Sequence, residues 1–153
     1  MEKQVYKNVL VGVDGSEQSD QAYKKALEVA RRNDAHLVVV HIVEESGLST
    51  MGYPTITENS IDQESEDSKE LLRKCEKYAK DVKFSNIETI LVYGSPKRSL
   101  AVELPSKYDI DVIAIGQSGI NNTVERLTLG GVSSYVIRQA PCDVLIVHSD
   151  SNG

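Results

Sequence analysis

The chain has 153 residues, a formal net charge of −6 and 40% apolar residues, which is typical of one globular domain with a sizeable core. Binding to nucleic-acid phosphates needs clustered Lys and Arg, and none of the 17 basic residues forms a run of more than two, so we expect no nucleic-acid partner. No apolar run approaches a membrane span and the N-terminus lacks a signal-peptide pattern, so we expect no membrane partner and a cytoplasmic location.

Short segments rich in Val, Ile and Leu alternate with amphipathic segments along the chain. Several of the apolar segments have no polar break, which is typical of strands buried on both faces of a parallel sheet. The predicted strands are Val5–Val13, Leu37–Val43, Ile87–Tyr93, Ile110–Gly116 and Val144–His148.

The segments between these strands carry signals for the start of a helix. Ser16 can cap the first helix, and Ser60 with Gln63 has capping-box spacing before the second. Ser95–Pro96 places a cap before a proline at the first position of the third helix. We therefore predict three helices that begin at these residues.

Two prolines and one glycine set the remaining helix boundaries. The third helix is expected to end near Pro105, and the last to begin at Gly131 and stop before Pro141. Strands and helices that alternate in this way predict a single-domain, doubly wound α/β fold with right-handed crossovers. We expect a five-stranded parallel sheet in the order 3-2-1-4-5 within residues 1–148, and a frayed tail at residues 149–153.

Glycines cluster where the fourth strand ends and where the last helix begins. The strand pattern runs into Gly116-Gln-Ser-Gly119, and a polar loop leads to Gly130-Gly131-Val132-Ser133. Glycine lets the backbone approach an anion, and a helix start directs free N–H groups and a positive dipole end towards it. The pattern predicts a phosphate site held by the backbone. The alternative is that Gly116 and Gly119 only end a strand.

A second loop is expected beside these glycines. Ligands of open α/β sheets bind outside the carboxyl ends of the strands, where the strand order reverses. If the first and fourth strands are neighbours, Gly12-Val13-Asp14-Gly15-Ser16 faces the same crevice. Asp14 has two open interpretations: an Asx-turn or capping group, or a contact with a ribose or a nucleotide-bound Mg²⁺.

These residues carry a family resemblance that covers nearly the whole chain. The sequence resembles the universal stress protein family at Val13–Ser16, His41–Glu44, Gly94–Pro96, Ile115–Gly119, Gly130–Ser133 and Ala140–Val147. The stretch from Glu125 to Val147 is the most specific part. The resemblance implies a five-stranded adenine-nucleotide-binding fold, a cytoplasmic homodimer and, in one branch of the family, ATP held by a G-x2-G-x9-G-[ST] motif.

Carried over by position, the resemblance assigns roles to residues on both sides of the crevice. Asp14 is implied to lie near the ribose or the metal of Mg-ATP. The residues implied to frame the adenine are Gly12, Val13 and Ile42. The residues implied to approach the phosphates and ribose, or to present the helix start to them, are Gly116, Gly119, Gly130, Gly131, Val132 and Ser133.

The sequence departs from the family motif at two points. Positions 120 to 129 separate the glycine pairs, which is one residue more than the family spacing, and Gly131 stands where a Ser or Thr is usual. Lengthening a loop costs little, and the lost hydroxyl contact is worth about 1 kcal/mol. We therefore expect ATP binding that is retained but weakened. The alternative is a nucleotide-independent dimer that acts only through protein contacts.

Other chemistry fits the sequence less well. Ile120 occupies the last glycine position of a G-x-S-x-G elbow, which argues against Ser118 as a nucleophile. His36, His41 and His148 are spaced unlike metal ligands, so we expect packing or edge roles for them. No residue is an obvious general base for attack on a phosphoryl group, so any ATP hydrolysis is expected to be slow.

The predicted last strand, Val144–Val147, is expected to pair with a second copy of the chain. In the order 3-2-1-4-5 it forms an edge of the sheet, and an apolar edge with unpaired N–H and C=O groups invites pairing. In a two-fold dimer the two edge strands would meet antiparallel.

Overall fold

The structure is a computed structural model that describes residues 5–44, 58–117 and 131–148, with side chains in the second range from residue 66 onward. Five parallel strands form one sheet. They are β1 (Asn8–Gly12), β2 (His36–Val43), β3 (Ile87–Tyr93), β4 (Val112–Gly116) and β5 (Asp143–Val147). Their order is β3-β2-β1-β4-β5, which confirms the predicted doubly wound fold. The tail predicted to fray, residues 149–153, lies outside the described residues.

The helices cover both faces of this sheet. They are α1 (Glu17–Asn33), α2 (Glu58–Asp81), α3 (Pro96–Arg98), α4 (Leu104–Lys107) and α5 (Gly131–Gln139). Helices α1 and α2 pack on one face, and α4 and α5 pack on the other. The chain moves outward from β1 to β3 and then returns past β1 to β4, so right-handed crossovers place the later helices on the opposite face.

Side chains of the central strand alternate between the two cores. Val9 and Val11 pack towards α1 and α2, and Leu10 packs towards α4 and α5. All three are fully buried. Because strand side chains have a period of two, an unbroken apolar run such as this one is satisfied only when both faces are covered.

The predicted caps are found at two of the three helix starts. The Ser16 Oγ accepts a hydrogen bond from the Ser19 N–H at 3.1 Å, and the Ser95 Oγ accepts one from the Arg98 N–H at 3.3 Å. The capping-box prediction at Ser60 is wrong, because α2 begins at Glu58 and Ser60 lies inside its first turn. A capping-box pattern does not prevent a helix from starting upstream of it.

The third helix ends at Lys107, near the predicted Pro105, but the proline does not itself end it. The helical chain continues to Lys107 through a π-helical stretch, Ser99–Glu103, which lies between α3 and α4. Proline lacks an N–H and crowds the carbonyl four residues earlier, so it breaks a regular α-helix. The wider turn before Pro105 accommodates it, and the Leu104 N–H bonds to the Ser99 carbonyl five residues back.

The strand β1 starts three residues later than the Val5 predicted because side chains take its first N–H groups. The Tyr6 N–H donates to Asn33 Oδ1 at 3.2 Å. The Asp111 Oδ2 accepts from the N–H groups of Lys7 and Asn8 at 2.7 and 2.9 Å. Since Asp111 immediately precedes β4, its carboxylate ties the amino ends of β1 and β4 together.

Both cysteines of the chain are free thiols in the core or at its margin. Cys75 is buried on α2 and Cys142, before β5, is half-buried. Burial raises the pKa of each thiol to about 11. Both therefore stay protonated at neutral pH and are poor nucleophiles.

His36 crosslinks β2 to the segment that leads into β3. Its Nε2 lies 3.0 Å from Glu88 Oε1 and its Nδ1 lies 2.7 Å from Asn86 Oδ1. Partial burial lowers the pKa of His36, but the hydrogen bonds to Glu88 and Asn86 outweigh it, so the pKa is raised above 6.5. The protonated ring can donate to both oxygens at once.

We predict that His36 makes the stability of the fold depend on pH. A raised folded-state pKa stabilises the fold fully below the unfolded pKa, and this contribution is lost as pH rises through the folded pKa. The free energy of unfolding of the wild type should therefore exceed that of His36→Gln most at about pH 5, and the excess should shrink towards about pH 9. Glu88→Gln, which removes the carboxylate and keeps the ring, should flatten this dependence. An excess that stays constant or grows with pH would contradict the assignment.

Candidate functional site

The start of α5 is fixed to the end of β4 by one side-chain hydrogen bond. The Ser133 Oγ donates to the Gly116 carbonyl at 2.7 Å, and Ser133 is only 4% exposed. As predicted, α5 begins at Gly131, so the N–H groups of its first turn have no acceptor within the helix. These N–H groups therefore lie at the carboxyl end of β4, beside the central strand β1 with which β4 pairs.

The loop that follows β1 folds back on itself through Asp14. Its Oδ1 accepts from the Ser16 N–H at 2.9 Å, and its own N–H donates to Ser19 Oγ at 3.1 Å. Gly15 has φ +86°, a left-handed conformation that favours glycine. Asp14 thus forms the Asx-turn of the first interpretation. Its carboxylate is exposed, and Oδ2 has no partner among the described residues, so it is still free to contact a ligand.

The backbone at Val13 is held on both sides by β2. The Val13 N–H donates to the Val40 carbonyl at 2.8 Å, and the Val13 carbonyl lies 2.7 Å from His41 Nδ1. A carbonyl can only accept, so Nδ1 of His41 carries the hydrogen. The sequence predicted a packing or edge role for His41, and the structure shows that it fixes the peptide that follows β1.

Ile42 lies on β2 on the α5 side of the sheet. It is half-buried and packs against the core that contains Val38 and Val40. Val132, in the first turn of α5, packs against the same core. Ile42 and Val132 therefore border the same core, whereas the Val13 side chain is buried in the core on the α1 side of the sheet.

Two of the strand-end glycines have a packing reason that involves no ligand. A Cβ on Gly12 would lie 3.3 Å from both terminal methyls of Leu100, in the π-helical stretch. A Cβ on Gly116 would lie 3.1 Å from the Cβ of Gln18 on α1. Both distances are shorter than ordinary van der Waals contacts, so a Cβ at either position would require Leu100 or Gln18 to shift by a few tenths of an ångström. The alternative interpretation of Gly116, as a strand-end residue, has this physical basis.

Lys97 is a residue of this site that sequence reasoning missed. A Cβ on Gly131 would lie 3.6 Å from both Cε and Nζ of Lys97. The Lys97 ammonium group is therefore at the first residue of α5. The available signal was its place directly after Ser95–Pro96, because a helix that starts after β3 starts at the same edge of the sheet as the ends of β1 and β4.

Part of the predicted site lies outside the described residues, namely Gly119 and Gly130. Within the described residues, the three histidines do not converge: His36 contacts Glu88, His41 contacts Val13 and His148 contacts Gln117. That part of the chain contains no group of three or more His, Cys, Asp or Glu residues that could hold a metal ion. Nor does it contain a helix that is long and apolar enough to cross a membrane.

Known proteins show the same architecture and sequence pattern. The Universal stress protein family matches residues 5–148. A protein of Staphylococcus haemolyticus that is named as a universal stress protein is 39% identical over 145 residues, which cover 95% of this chain and 86% of the relative.

Two solved structures extend the comparison to the fold. The universal stress protein UspA from Lactobacillus plantarum matches with a TM-score of 0.80 and 27% identity, over 95% of this chain and 99% of the other. A universal stress protein solved in complex with cAMP matches with a TM-score of 0.68 and 28% identity, over 96% of this chain and 100% of the other.

The family match spans almost the whole chain, and the relatives are matched over most of their own length. The sheet order and the helix start at Gly131 agree with the pattern that first suggested the resemblance. The chain belongs to the universal stress protein family.

Proposed function

We propose that the chain binds ATP with Mg²⁺ in the crevice at the carboxyl ends of β1 and β4, and that it works as a cytoplasmic, dimeric stress-response or signalling module. One observation carries the proposal. The hydrogen bond from Ser133 to Gly116 holds the start of α5 at the point where the strand order reverses. Helix starts at this point of an open α/β sheet are favourable sites for phosphate groups.

The described residues suggest a division of the nucleotide between the two sides of the crevice. The first-turn N–H groups of α5, at Gly131, Val132 and Ser133, would bind phosphate oxygens. Gly116 and Gly119 would lie beside the phosphates and the ribose. This placement of the phosphate end uses backbone groups and leaves the loop after β1 and the end of β2 to contact the other end of the ligand.

The adenine and ribose would lie towards β1 and β2. Gly12, Val13 and Ile42 would frame the adenine, and the exposed carboxylate of Asp14 would contact the ribose or the Mg²⁺. The cAMP complex of a family member with 28% identity supports an adenine nucleotide as the ligand class. Gly130 would complete the phosphate side next to Gly131.

Fast turnover of ATP is not part of the proposal. Attack on a phosphoryl group needs a residue that orients the nucleophile and groups that stabilise the transition state. Asp14 is the carboxylate of the β1 loop, and one of its oxygens is already engaged by the Ser16 N–H. Any hydrolysis is therefore expected to be slow, and the bound nucleotide would act as a signal.

A second candidate function has specific support. The packing reasons found for Gly12 and Gly116 explain those glycines without a ligand, and Gly131 lacks the hydroxyl of the family motif. A nucleotide-independent dimer that acts through protein contacts would show the same features. Acid extraction of the purified protein separates the two candidates, because only the first should release adenine nucleotide.

We predict that Mg-ATP raises the melting temperature of the protein. A ligand that binds only the folded state stabilises it by about 2.7 kcal/mol at a concentration 100 times its Kd. In a domain of this size, each 1 kcal/mol added to the free energy of unfolding raises the melting temperature by about 2–4 °C. Thermal melting with and without millimolar Mg-ATP measures the shift, with tripolyphosphate and adenosine as separate additions. No shift, together with no heat in a calorimetric titration, would rule out nucleotide binding and favour the second candidate.

We predict that Gly131→Ser tightens ATP binding by about five-fold, since a restored hydroxyl contact is worth about 1 kcal/mol. The position has room for a Cβ, whose nearest neighbours would be 3.6 Å away on Lys97. Gly131→Ala is the matched variant, because it adds the Cβ without the hydroxyl, and the ratio of the two affinities isolates the hydroxyl. Equal affinities for the Ser and Ala variants would show that position 131 does not face the phosphates.

The edge strand β5 is the proposed dimer contact. Leu145 and Val147 pack against the core on the α1 side of the sheet, and Val144 and Ile146 pack against the core on the α5 side. All four side chains are only half-buried within one chain. Strand β5 is also an edge of the sheet. Pairing with a second β5 would satisfy its free backbone groups and cover apolar surface on one face.

Ile146→Lys and Val147→Lys place a charge on opposite faces of β5, and we predict that one of these two substitutions dissociates the dimer. Light scattering at micromolar concentration measures the mass, and circular dichroism checks that each variant remains folded. A monomer mass for the unmodified protein would refute dimerisation. A dimer mass that survives both substitutions would move the contact away from β5.

A further inference from the structure

We propose that Lys97 is a phosphate-binding residue of the crevice and that it makes the site prefer nucleotides with a di- or triphosphate over monophosphates and cyclic monophosphates. The inference rests on the proposed nucleotide binding and adds a side-chain contact to a site otherwise built from backbone. It begins with the placement of the Lys97 ammonium group at the first residue of α5.

The position of Lys97 is set by packing on both sides of it. The cap at Ser95 and the proline at position 96 start α3 directly before it. After it, the π-helical stretch is held against the end of β1, where the methyls of Leu100 lie 3.3 Å from a Cβ built on Gly12. The backbone that carries Lys97 is therefore fixed to the same strand end as the proposed adenine side of the crevice.

The charge of Lys97 is not balanced within the described part of the chain. The neighbouring cation, Arg98, pairs with Glu103 through an Nε–Oε2 distance of 3.2 Å. No carboxylate of the described residues forms an ion pair with Lys97. This is so although the whole chain has a net charge of −6 and carboxylates are in excess. Among the described residues, Lys97 thus has no acidic partner, and it lies exposed at the edge of the sheet where the ligand is proposed to bind.

The positive charge at the start of α5 favours a bound anion. A helix has a positive dipole end at its N-terminus, where anions are stabilised and cations are destabilised. At α5 the Lys97 ammonium group and the free first-turn N–H groups place positive charge in the same space. A phosphate group between them would accept hydrogen bonds from both and would remove their repulsion.

The position of this cation predicts selectivity among nucleotides. Lys97 lies at α5, on the phosphate side of the crevice, whereas Val13 and Ile42 lie on the proposed adenine side. The ammonium group would therefore contact the phosphates distal to the ribose, which AMP and cAMP lack. The contribution of Lys97 to binding should grow with the number of phosphates and should be absent for adenosine.

The test compares Lys97→Met, Lys97→Arg and the matched control Arg98→Met in calorimetric titrations with ATP, AMP and adenosine. Lys97→Met keeps the apolar stem and removes the charge, so it should weaken ATP binding about ten-fold and leave adenosine binding unchanged. Lys97→Arg should retain most of the ATP affinity, and Arg98→Met should bind ATP as the wild type does. The difference between wild type and Lys97→Met should narrow in high salt, because the lost contact is ionic.

The outcomes separate the two proposals. If the wild type binds ATP and Lys97→Met binds it equally well with the same ATP-to-AMP ratio, the role of Lys97 is refuted and nucleotide binding stands. If the wild type binds no adenine nucleotide but inorganic tripolyphosphate protects it from melting, and does not protect Lys97→Met, the anion contact of Lys97 stands and the proposed function fails. Absence of both effects in the wild type overturns both. Melting of each variant without ligand checks that the fold is retained.

Discussion

The structure depends on the position of β1, which pairs in parallel with β2 on one side and with β4 on the other. Val9, Leu10 and Val11 are fully buried, because both faces and both edges of β1 are covered. The chain leaves β1 in one direction and returns to its other side, so the crossover helices change face at this strand. The helices after β1 and β4 therefore lie on opposite faces of the sheet, and the point between their starts is where open α/β sheets bind ligands.

The two ends of the sheet serve different purposes. At the amino ends, Asp111 bonds to the backbone of Lys7 and Asn8, and the Tyr6 hydroxyl donates to Asp143 at 2.7 Å. These contacts close that end of the sheet and link β1, β4 and β5. At the carboxyl ends, the first-turn N–H groups of α5 have no acceptor within the helix. The amino ends are thus tied together by side-chain hydrogen bonds, and the carboxyl ends carry the proposed anion site.

The glycines at the carboxyl ends of β1 and β4 allow close packing at the edge of the sheet where the ligand is proposed to bind. Gly12 and Gly116 let Leu100 and Gln18 approach the strand ends, and this approach draws α1 and the π-helical stretch around the crevice. The same contact with Leu100 fixes the segment that carries Lys97. A small residue that serves packing therefore also influences where the Lys97 side chain lies, so a packing role for Gly12 is compatible with the proposed ligand site.

The order of strands and helices, the parallel doubly wound sheet and the family could all be predicted from the amino-acid sequence. The caps at Ser16 and Ser95 and the start of α5 at Gly131 were predicted from it as well. These features depend on signals within a few residues, such as apolar periodicity, capping groups and glycine at a helix start. The three-dimensional arrangement was needed to show that Lys97 lies beside Gly131 and that His41 holds the Val13 carbonyl. It was also needed to show that Gly12 and Gly116 face Leu100 and Gln18, and that the helix continues past Pro105. The first three features are contacts between residues distant in sequence, and they depend on how whole elements are arranged around β1. The last is a local helix break, signalled by Pro105, that the surrounding packing overrides.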